Sequence, residues 1–362
     1  MVRTSFTPTT CRIKAIGVGG GGCNAVNRMV REGIQTVQFV AVNTDAQALM
    51  ANEAPTRIQI GEQVAGGLGV GGNPVLGREA AEESLDELKE TVSNAHMVFV
   101  AAGMGGGTGT GASPVIARLA REAGALTIGI VTKPFNFEMA RRTQIAEEGI
   151  QALQNEVDAM IMIPNERLLA VTDGRVTVDR AFKAADDVLM NGVRAISEVI
   201  AVPGLINLDF ADVRAIMKEA GQCWLSIGHG SQQNRVVEAA SAAVSSKLLE
   251  VPIDGASGVL YIVSGPPNLT LAEVGQAARV VKQAVDEEAT VIFGVTVDPR
   301  LDGDVRVTLV AGGFTPIRAL AAARQEDDFR ILINELQWDE DRLEAPSFMR
   351  RPIASRMMST RR

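Results

Sequence analysis

Three short glycine-rich segments constrain this sequence more than any other feature. The segments 17–22, 66–72 and 103–111 hold 16 of the 36 glycines in the 362-residue chain. Glycine weakens helices and strands unless the backbone needs a positive φ or must approach a ligand closely. Because all three segments lie in one half of the chain, the sequence predicts several loops arranged around one ligand.

Patterns of buried strands and of helices alternate between these segments. Short, nearly continuous apolar runs are typical of strands covered on both faces of a parallel sheet, and they occur at 13–19, 37–43, 97–103, 126–132 and 159–164. Helical patterns follow at 23–33, 74–90, 111–123 and 138–156. This order predicts a doubly wound α/β domain that binds its ligand at the carboxyl ends of the strands.

A long helical pattern at 178–202, ended by Pro203 and Gly204, separates two parts of the chain. Beyond it, helices are predicted near 209–220, 231–247 and 270–287, and strands near 222–227, 259–264, 290–298 and 305–311. These elements indicate a second, smaller α/β domain. The predicted organisation is an extension at 1–11, a first α/β domain at 12–177, a central helix at 178–202, a second domain at 203–314, an acidic linker at 315–341 and a basic tail at 342–362.

Charge and composition exclude several classes of protein. The net charge of −8 argues against a chain that coats nucleic acid, and no apolar run reaches the roughly 18 residues of a membrane span. The cysteines, Cys11, Cys23 and Cys223, give no disulfide framework and fit a reduced cytoplasm. With only His96 and His229 as histidines, the sequence predicts neither a histidine-rich metal site nor a Ser-His-Asp triad.

The first glycine segment joins a predicted strand to a predicted helix. Gly17, Gly19 and Gly22 satisfy G-x-G-x-x-G, and Asp45 follows at the end of the next strand. This pattern fits a dinucleotide-dependent oxidoreductase, and a plain glycine turn explains it about as well. In the functional interpretation, a phosphate rests on backbone N–H groups at a helix N-terminus.

The second glycine segment, GGGTGTG at 105–111, again follows a strand and opens a helix. Its amides, with the hydroxyls of Thr108 and Thr110, predict a nest for phosphates, and Pro114 suits the first turn of the helix. A dinucleotide fold does not need this second loop, and the lack of G-x-x-x-x-G-K-[ST] excludes a P-loop NTPase. The third segment either supplies amides to a terminal phosphate or is a surface loop, and three loops around one triphosphate is the simplest interpretation.

Four motifs resemble a known family. GGGTGTG, AVNTDAQAL at 41–49, TKPFNFE at 132–138 and PGLINLDFADVR at 203–214 are similar to motifs of the FtsZ family of bacterial cell-division GTPases, in the tubulin superfamily, over about 13–314. The resemblance implies a GTP-binding domain at 12–177 and a cytoplasmic, self-assembling GTPase that forms head-to-tail filaments at the division site. It also implies GTP and GDP as ligands, with Mg²⁺ held mainly by nucleotide phosphates and water and not by protein side chains.

The resemblance further implies a set of nucleotide-binding residues. They are Gly20, Gly21, Gly22, Cys23, Asn24, Asn43, Asp45, Gly71, Gly72, Asn73, Gly105, Gly106, Gly107, Thr108, Gly109, Thr110, Gly111, Glu138, Arg142, Asn165, Phe182 and Asp186. Cys23 stands where the family often has glycine or another small residue, and it is expected to place a thiol near the nucleotide.

Five of these residues have specific implied roles that their spacing alone does not establish. Glu138 and Arg142 match ribose and phosphate contacts, although by spacing they form an ordinary i,i+4 helix pair. Asp186, with Asn165 nearby, is expected to accept hydrogen bonds from the guanine edge. Phe182, one turn before Asp186, is expected to stack on the base, although by spacing alone it would belong to the core.

The resemblance also implies a catalytic loop and a partner-binding tail. Asn207, Asp209 and Asp212 are expected to face the nucleotide of the neighbouring subunit and polarise the attacking water. By spacing alone the two aspartates would cap a helix, and a non-hydrolysing relative that uses GTP only as a fold ligand is the remaining alternative. Residues 342–352 resemble a peptide that docks on membrane-tethering and regulatory partners, and a disordered basic end is the alternative there.

Overall fold

A mostly parallel sheet runs through the structure, a computed structural model that describes residues 11–171, 177–201 and 204–314. Its strands are β1 (Ile13–Val18), β2 (Val37–Asn43), β3 (Thr56–Gln59), β4 (Met97–Gly103), β5 (Leu126–Lys133), β6 (Ala159–Pro164), β7 (Gly221–Gly230), β8 (Gly258–Gly265), β9 (Thr290–Val297) and β10 (Val305–Gly312). The order across the sheet is β3-β2-β1-β4-β5-β6-β7-β10-β8-β9. Only the pairs that involve β10 are antiparallel.

Helices cover both faces of this sheet. They are α1 (Gly19–Arg31), α2 (Ala46–Met50), α3 (Glu62–Ala65), α4 (Pro74–Glu83), α5 (Leu85–Val92), α6 (Thr108–Glu122), α7 (Ala140–Gln154), α8 (Asn165–Val171), α9 (Val178–Ala201), α10 (Phe210–Met217), α11 (Arg235–Val244) and α12 (Leu271–Ala284). One core cluster lies under α4–α7, α11 and α12, and the other lies under α1, α2 and α8–α10. The predicted doubly wound α/β fold is confirmed. Within the described ranges, no helix combines the length and the apolarity that crossing a bilayer demands.

The central strands are apolar at nearly every position because both of their faces are buried. In β4, Val98 and Val100 belong to one core cluster, while Met97 and Phe99 belong to the other. The neighbouring β1 pairs with β2 on one side and with β4 on the other. The connection that follows β1 runs to β2, whereas the connection that follows β4 runs the opposite way, to β5. This divergence opens a crevice at the carboxyl ends of β1 and β4, the usual ligand position in such a sheet.

Both glycine loops enter their helices earlier than the sequence predicts. Helix α1 begins at Gly19 and α6 begins at Thr108. The prediction that Pro114 lies in a first turn is wrong, because Pro114 is the seventh residue of α6. Close packing explains the difference: a Cβ on Gly22 would come within 2.1 Å of the Ala101 carbonyl oxygen. Contact with the neighbouring backbone here outweighs the low helix propensity of glycine.

Two predicted helices are interrupted in the structure. The pattern at 74–90 forms α4 and α5, which meet at Ser84. The pattern at 138–156 forms α7 only from Ala140, because Met139 has a φ of 76° and Glu138 lies in a short 3₁₀ turn before it. Helical periodicity continues across both breaks, so the pattern alone does not locate them.

The second half of the described chain continues the same sheet. Three residue pairs join β6 to β7, and β10, β8 and β9 follow outward. The predicted central helix is α9. The division into domains at 177 and 203 stays a prediction. The linker at 315–341, the tail at 342–362 and most of the extension at 1–11 lie outside the described residues.

Candidate functional site

The three glycine segments meet at the carboxyl ends of β1 and β4. A Cβ built on Gly19 would lie 2.6 Å from the backbone nitrogen of Gly109, and one built on Gly107 would lie 2.9 Å from that of Asn73. The first of these close approaches joins the first loop to the second, and the other joins the second loop to the third. The structure thus brings together the segments that the sequence predicts around one ligand.

The glycines of these loops fall into two groups that the sequence does not distinguish. A Cβ would collide with neighbouring atoms at Gly22, Gly107, Gly109 and Gly111. It would meet nothing within 4 Å at Gly20, Gly71, Gly72 and Gly106. The first group is explained by packing between backbone segments. The second group leaves bare backbone facing open space, which is the surface that a phosphate chain needs.

The first turns of α1 and α6 provide the hydrogen-bond donors of this surface. First-turn amides have no acceptor within their own helix, and the preceding residues, Val18 and Gly107, make no side-chain cap. These donors are Gly19, Gly20 and Gly21 in α1, with Thr108, Gly109 and Thr110 in α6. Gly19 is absent from the predicted residues, although it belongs to the same glycine run. Two adjacent helix N-termini favour an anionic ligand.

The threonine hydroxyls of the second loop are bonded within the protein. The Thr108 hydroxyl lies 2.7 Å from that of Thr44, and the Gly105 amide donates to the Thr110 hydroxyl oxygen at 2.9 Å. Both threonines are buried. The hydroxyls therefore hold the loop in shape, and the amides remain as the donors for a ligand. Thr44 was missed by the sequence analysis because nothing in its spacing indicates a partner at position 108.

The prediction that Cys23 places a thiol near the ligand is wrong. Its Sγ points toward the sheet and donates to the carbonyl oxygens of Gly17 at 3.4 Å and Val42 at 3.5 Å. Burial raises the pKa of this thiol to about 12. Cys23 is the fifth residue of α1, one turn past the free amides, and its side chain faces the core. Asn24, the next residue, is exposed.

Three predicted polar side chains accept hydrogen bonds from nearby backbone. Asn43 Oδ1 accepts from Thr44 N at 2.9 Å. Asp45 caps α2 by accepting from Ala48 N at 3.0 Å, and Asn73 caps α4 by accepting from Val75 N at 3.0 Å. Each side chain therefore stabilises the backbone turn in which it lies. Asp45, on which a dinucleotide site would depend, is already engaged as a helix cap.

Glu138 and Arg142 lie beside the second glycine loop. Arg142 Nη1 is 3.0 Å from Glu138 Oε2, and Glu138 Oε1 accepts from Phe135 N at 2.9 Å. A Cβ on Gly105 would lie 2.7 Å from the Arg142 carbonyl oxygen. Because Glu138 precedes α7, this is not the ordinary helix pair that spacing alone indicates. The Arg142 side chain is half exposed, so its guanidinium is accessible to an anion at this loop.

Phe182 belongs to an exposed aromatic cluster and not to the core. Its ring meets Phe135 edge-on with centroids 5.3 Å apart, and Phe137 lies 6.4 Å away. Phe182 is 41% exposed and Phe137 is 53% exposed, so both rings offer surface to a planar ligand. Phe137 is not among the residues predicted from the sequence, although the TKPFNFE motif contains it.

Two predicted polar contacts, one on α9 and one at the start of α8, lack partners among the described residues. Asp186 has neither a hydrogen bond nor an ion pair there, and burial raises its pKa to about 7 against the opposing effect of Arg28. Asn165, which begins α8 and is 4% exposed, has no partner for its Oδ1. Such unpaired acceptors fit a ligand edge that presents N–H groups.

A second carboxylate adjoins Asp186. Asp187, which the sequence analysis did not select, forms an ion pair with Arg28 of α1. The sequence signal that could have identified Asp187 is the pair of successive aspartates on α9. The structure gives Asp187 a protein partner and leaves Asp186 without one, so the two carboxylates differ in their availability to a ligand.

The loop with Asn207, Asp209 and Asp212 is exposed. Asp209 occupies the position before α10, yet its side chain makes no capping hydrogen bond. Asn207 Oδ1 accepts from Gly204 N at 2.5 Å, which fixes the turn into the loop. The capping interpretation, which spacing alone favours, therefore does not account for the Asp209 carboxylate.

This acidic loop lies at the opposite end of the sheet from the glycine loops. The Phe210 ring is 6.3 Å from that of His96, the residue immediately before β4. The glycine loop at 105–111 follows the other end of β4, whose seven residues span roughly 20 Å. Asp209 and Asp212 therefore cannot reach a ligand that the glycine loops of the same chain hold.

Comparisons with known proteins agree with this geometry. Residues 12–173 match the family model described as the GTPase domain of the Tubulin/FtsZ family, and residues 221–315 match the C-terminal domain of the FtsZ family. A solved FtsZ dimer from M. jannaschii is 44% identical with a TM-score of 0.82, and the match covers 84% of this chain and 89% of that one. A mutant of M. jannaschii FtsZ gives the same identity and TM-score with 92% of its chain covered.

A more distant solved structure shares the fold. CetZ2 from Haloferax volcanii, solved as a GTPγS-bound protofilament, is 21% identical with a TM-score of 0.72. The match covers 90% of this chain and 99% of that chain.

Within the described ranges, no group of three or more His, Cys, Asp or Glu side chains could hold a metal ion.

Proposed function

The chain belongs to the FtsZ family of tubulin-like GTPases, and from that premise we propose that it forms the head-to-tail filaments of the bacterial division ring, with GTP held between successive subunits. The observation that carries the proposal is the placement of the glycine loops and the acidic loop at opposite ends of one sheet. Stacking two copies in the same orientation would bring the acidic loop of one copy to the glycine loops of the next.

The phosphates of GTP would rest on the bare backbone at Gly20, Gly106 and the Gly71–Gly72 pair. First-turn amides of α1 and α6 would donate to the phosphate oxygens, and Arg142 at the rim would add a positive charge. Two helix N-termini, each equivalent to about half a positive charge, offset part of the negative charge without a lysine. Mg²⁺ bound to the phosphates and water would neutralise the rest.

The guanine base would lie at the start of α9. Guanine presents N1–H and an N2 amino group along one edge, and an ionised carboxylate accepts from both. Asp186 and Asn165 are unpaired acceptors there, while Phe182 offers an exposed ring for stacking. Adenine lacks that pair of donors, so this arrangement favours GTP over ATP.

Hydrolysis would need the acidic loop of the next subunit. Phosphoryl transfer requires mainly an oriented water and stabilisation of charge. Asp209 and Asp212 are exposed carboxylates that can accept hydrogen bonds from such a water, and Asn207 fixes the loop that carries them. Because neither half is complete alone, hydrolysis becomes coupled to assembly.

The remaining alternatives account for less of the molecule. A dinucleotide-dependent oxidoreductase leaves the second glycine loop unexplained and needs an Asp45 that already caps α2. A relative that binds GTP without hydrolysing it gives no role to the exposed carboxylates of Asp209 and Asp212. The Asp209 side chain also makes no capping hydrogen bond that would explain its presence.

We further propose the cytoplasmic face of the division site as the place of action. Residues 342–352, outside the described residues, would dock on membrane-tethering and regulatory proteins through Pro346, Phe348 and the adjacent arginines. A random-coil chain of about 25 residues, the approximate length of the predicted linker, would span roughly 25–30 Å. Filaments would therefore lie close to their anchor.

The proposal is tested by GTP turnover as a function of protein concentration. Turnover per subunit is expected near zero in dilute protein and should rise steeply above a threshold concentration. A constant turnover per subunit across that range would reject a site shared between subunits.

A further inference from the structure

Phe210 ties the first turn of α10 to the rest of the protein. Among residues 209–212 it is the one side chain that is not exposed, so both aspartates of this turn lie at the surface. Asp209 makes no capping hydrogen bond that could fix the turn. The Phe210 ring packs at the margin of the core and against the ring of His96, with centroids 6.3 Å apart. The direction of the two carboxylates therefore depends on the support of this ring.

His96 is a rigid support for Phe210. The His96 N–H donates to the Arg12 carbonyl oxygen at 2.9 Å, and the His96 carbonyl oxygen accepts from Leu126 N at 2.9 Å. The side chain is fixed as well, because Nδ1 accepts a hydrogen bond from the Arg12 backbone N–H at 3.0 Å. With its backbone and its ring both bonded, His96 has little freedom to follow a displaced Phe210.

The strands that carry Arg12 and His96 also carry the glycine loops. Arg12 lies directly before β1 and His96 directly before β4, while the first and second glycine loops follow the other ends of these strands. Strands β1 and β4 pair with each other along six residues. This pair of strands therefore sets the distance between the acidic loop and the phosphate surface of one chain. In a head-to-tail filament, that distance also sets how the acidic loop meets the nucleotide of the next subunit.

We propose that His96, held by Arg12, is a positioning residue for GTP hydrolysis. Its ring supports Phe210 and thereby directs Asp209 and Asp212 toward the nucleotide of the adjacent copy of this chain. The inference rests on the proposed function and adds to it a residue that contacts neither the nucleotide nor the attacking water. Displacing a catalytic group by about 1 Å can cost about 100-fold in rate. Removing the support should therefore lower kcat and leave GTP binding intact.

Substitutions of His96 separate the ring contact from the hydrogen bond. His96→Ala should lower kcat above the threshold concentration at least about tenfold, while GTP affinity of the dilute subunit stays within about twofold of the parent. His96→Phe keeps a ring against Phe210 and should retain kcat within about threefold. His96→Asn keeps an acceptor for the Arg12 N–H but has no ring, so it should lose as much as His96→Ala. The matched control is His229→Ala, at the other histidine, which is exposed and should leave kcat unchanged.

Mixed variants show which half of the shared site His96 serves. Asp186→Ala keeps a working acidic loop, whereas Asp212→Ala keeps a working nucleotide pocket. His96→Ala should therefore recover phosphate release when it is mixed with Asp186→Ala and should stay inactive when it is mixed with Asp212→Ala. A general loss of structure would not distinguish between the two partners.

Three results would overturn the inference. They are recovery of His96→Ala by Asp212→Ala, no recovery by Asp186→Ala, and a kcat for His96→Phe as low as that of His96→Ala. Parental kcat in His96→Asn would also overturn it, because the ring would then be unnecessary. The reference is the mixture of Asp186→Ala with Asp212→Ala. If these two variants associate without turnover, the shared site itself is rejected, which is a failure of the proposed function and not of His96 alone.

Discussion

The rings of Phe210 and His96 pack together with centroids 6.3 Å apart, and this contact fixes the acidic loop at the amino end of β4. His96 is itself held by Arg12, whose backbone N–H donates to His96 Nδ1 at 3.0 Å. The glycine loops leave the other end of the same strand. One chain therefore carries two half-sites that point away from each other, and the chemistry of either half depends on a second copy.

Base selection should depend on Asp186. Asp186→Ala leaves the guanine edge without its acceptor, so GTP affinity should fall by about 100-fold or more while ATP affinity changes by less than about threefold. Titration of both nucleotides against dilute protein measures the difference. Asp187→Ala is the matched control: it removes the ion pair with Arg28 but should keep the preference for GTP. A preference lost with Asp187→Ala and kept with Asp186→Ala would transfer base reading to Asp187.

Nucleotide affinity should depend on pH through the same carboxyl group. Burial raises the pKa of Asp186 to about 7, with Arg28 opposing and Asp187 adding to the shift. Below that pH the Asp186 carboxyl of the nucleotide-free protein is mostly protonated, and a protonated carboxyl cannot accept hydrogen bonds from both guanine donors. GTP affinity should therefore fall by up to roughly tenfold per pH unit below 7 and level off above about 8.

Binding calorimetry between pH 6 and 8.5 measures this dependence. Asp186→Asn is the control, because it keeps the shape of the side chain and the ionisation of the nucleotide while removing the titrating group. The variant should bind more weakly and with a flatter profile. Identical profiles for the parent protein and Asp186→Asn would contradict the assignment.

Much of the fold was predictable because local pattern and burial agree. A strand such as β4, buried on both faces, must be apolar at every position, and that pattern is visible without a structure. The helix starts at Gly19 and Thr108 were not predictable. They depend on backbone packing between distant segments, and glycine propensity opposes them.

The candidate site was predictable in its loops and less so in its side chains. The glycine runs mark the loops directly, but only three-dimensional contacts separate Gly22, which packs against β4, from Gly20, which faces open space. Thr44 and Phe137 were missed because their partners are distant in sequence. The direction of the Cys23 side chain follows from where α1 begins, which the sequence places four residues too late.

Cys23 should be unreactive whether or not nucleotide is bound. Its thiol is buried against β1 and β2, and burial raises its pKa to about 12, so little nucleophilic thiolate exists at neutral pH. Iodoacetamide should label Cys23 only in the denatured protein, and the folded protein should stay unlabelled at Cys23 both with and without GDP. Protection of Cys23 by GDP in the folded protein would place the thiol at the ligand after all.

Acid stability should depend on the Glu273–Arg235 pair. Arg235 Nε donates to Glu273 Oε1 at 2.8 Å, and the Thr270 N–H donates to Oε2 at 2.8 Å. These bonds lower the pKa of Glu273 from 4.5 to about 2. The carboxylate thus stabilises the fold fully above about pH 4.5, and that contribution is lost as the pH falls toward 2.

Replacing Glu273 measures this contribution. Glu273→Gln should lower the free energy of unfolding by about 1–2 kcal/mol at pH 7 after allowance for solvent screening, with a difference that shrinks toward pH 2. Denaturant unfolding of the parent protein and of the variant, at pH 7 and at pH 2.5, measures the difference in free energy of unfolding. Glu287→Gln, at an exposed glutamate, should change neither value. A loss from Glu273→Gln that is the same at pH 2.5 and pH 7 would show that the charge is not its source.

The shared active site is tested most directly by mixing two inactive variants. Asp212→Ala keeps the nucleotide pocket but removes one carboxylate of the acidic loop. Asp186→Ala keeps the acidic loop but removes the guanine acceptor of the pocket. Each variant alone should hydrolyse GTP very slowly. An equimolar mixture should recover phosphate release, because a subunit with an empty pocket can present its loop to one that holds GTP, while co-sedimentation confirms that the two variants associate. Association of the two variants without any recovered turnover would contradict the account.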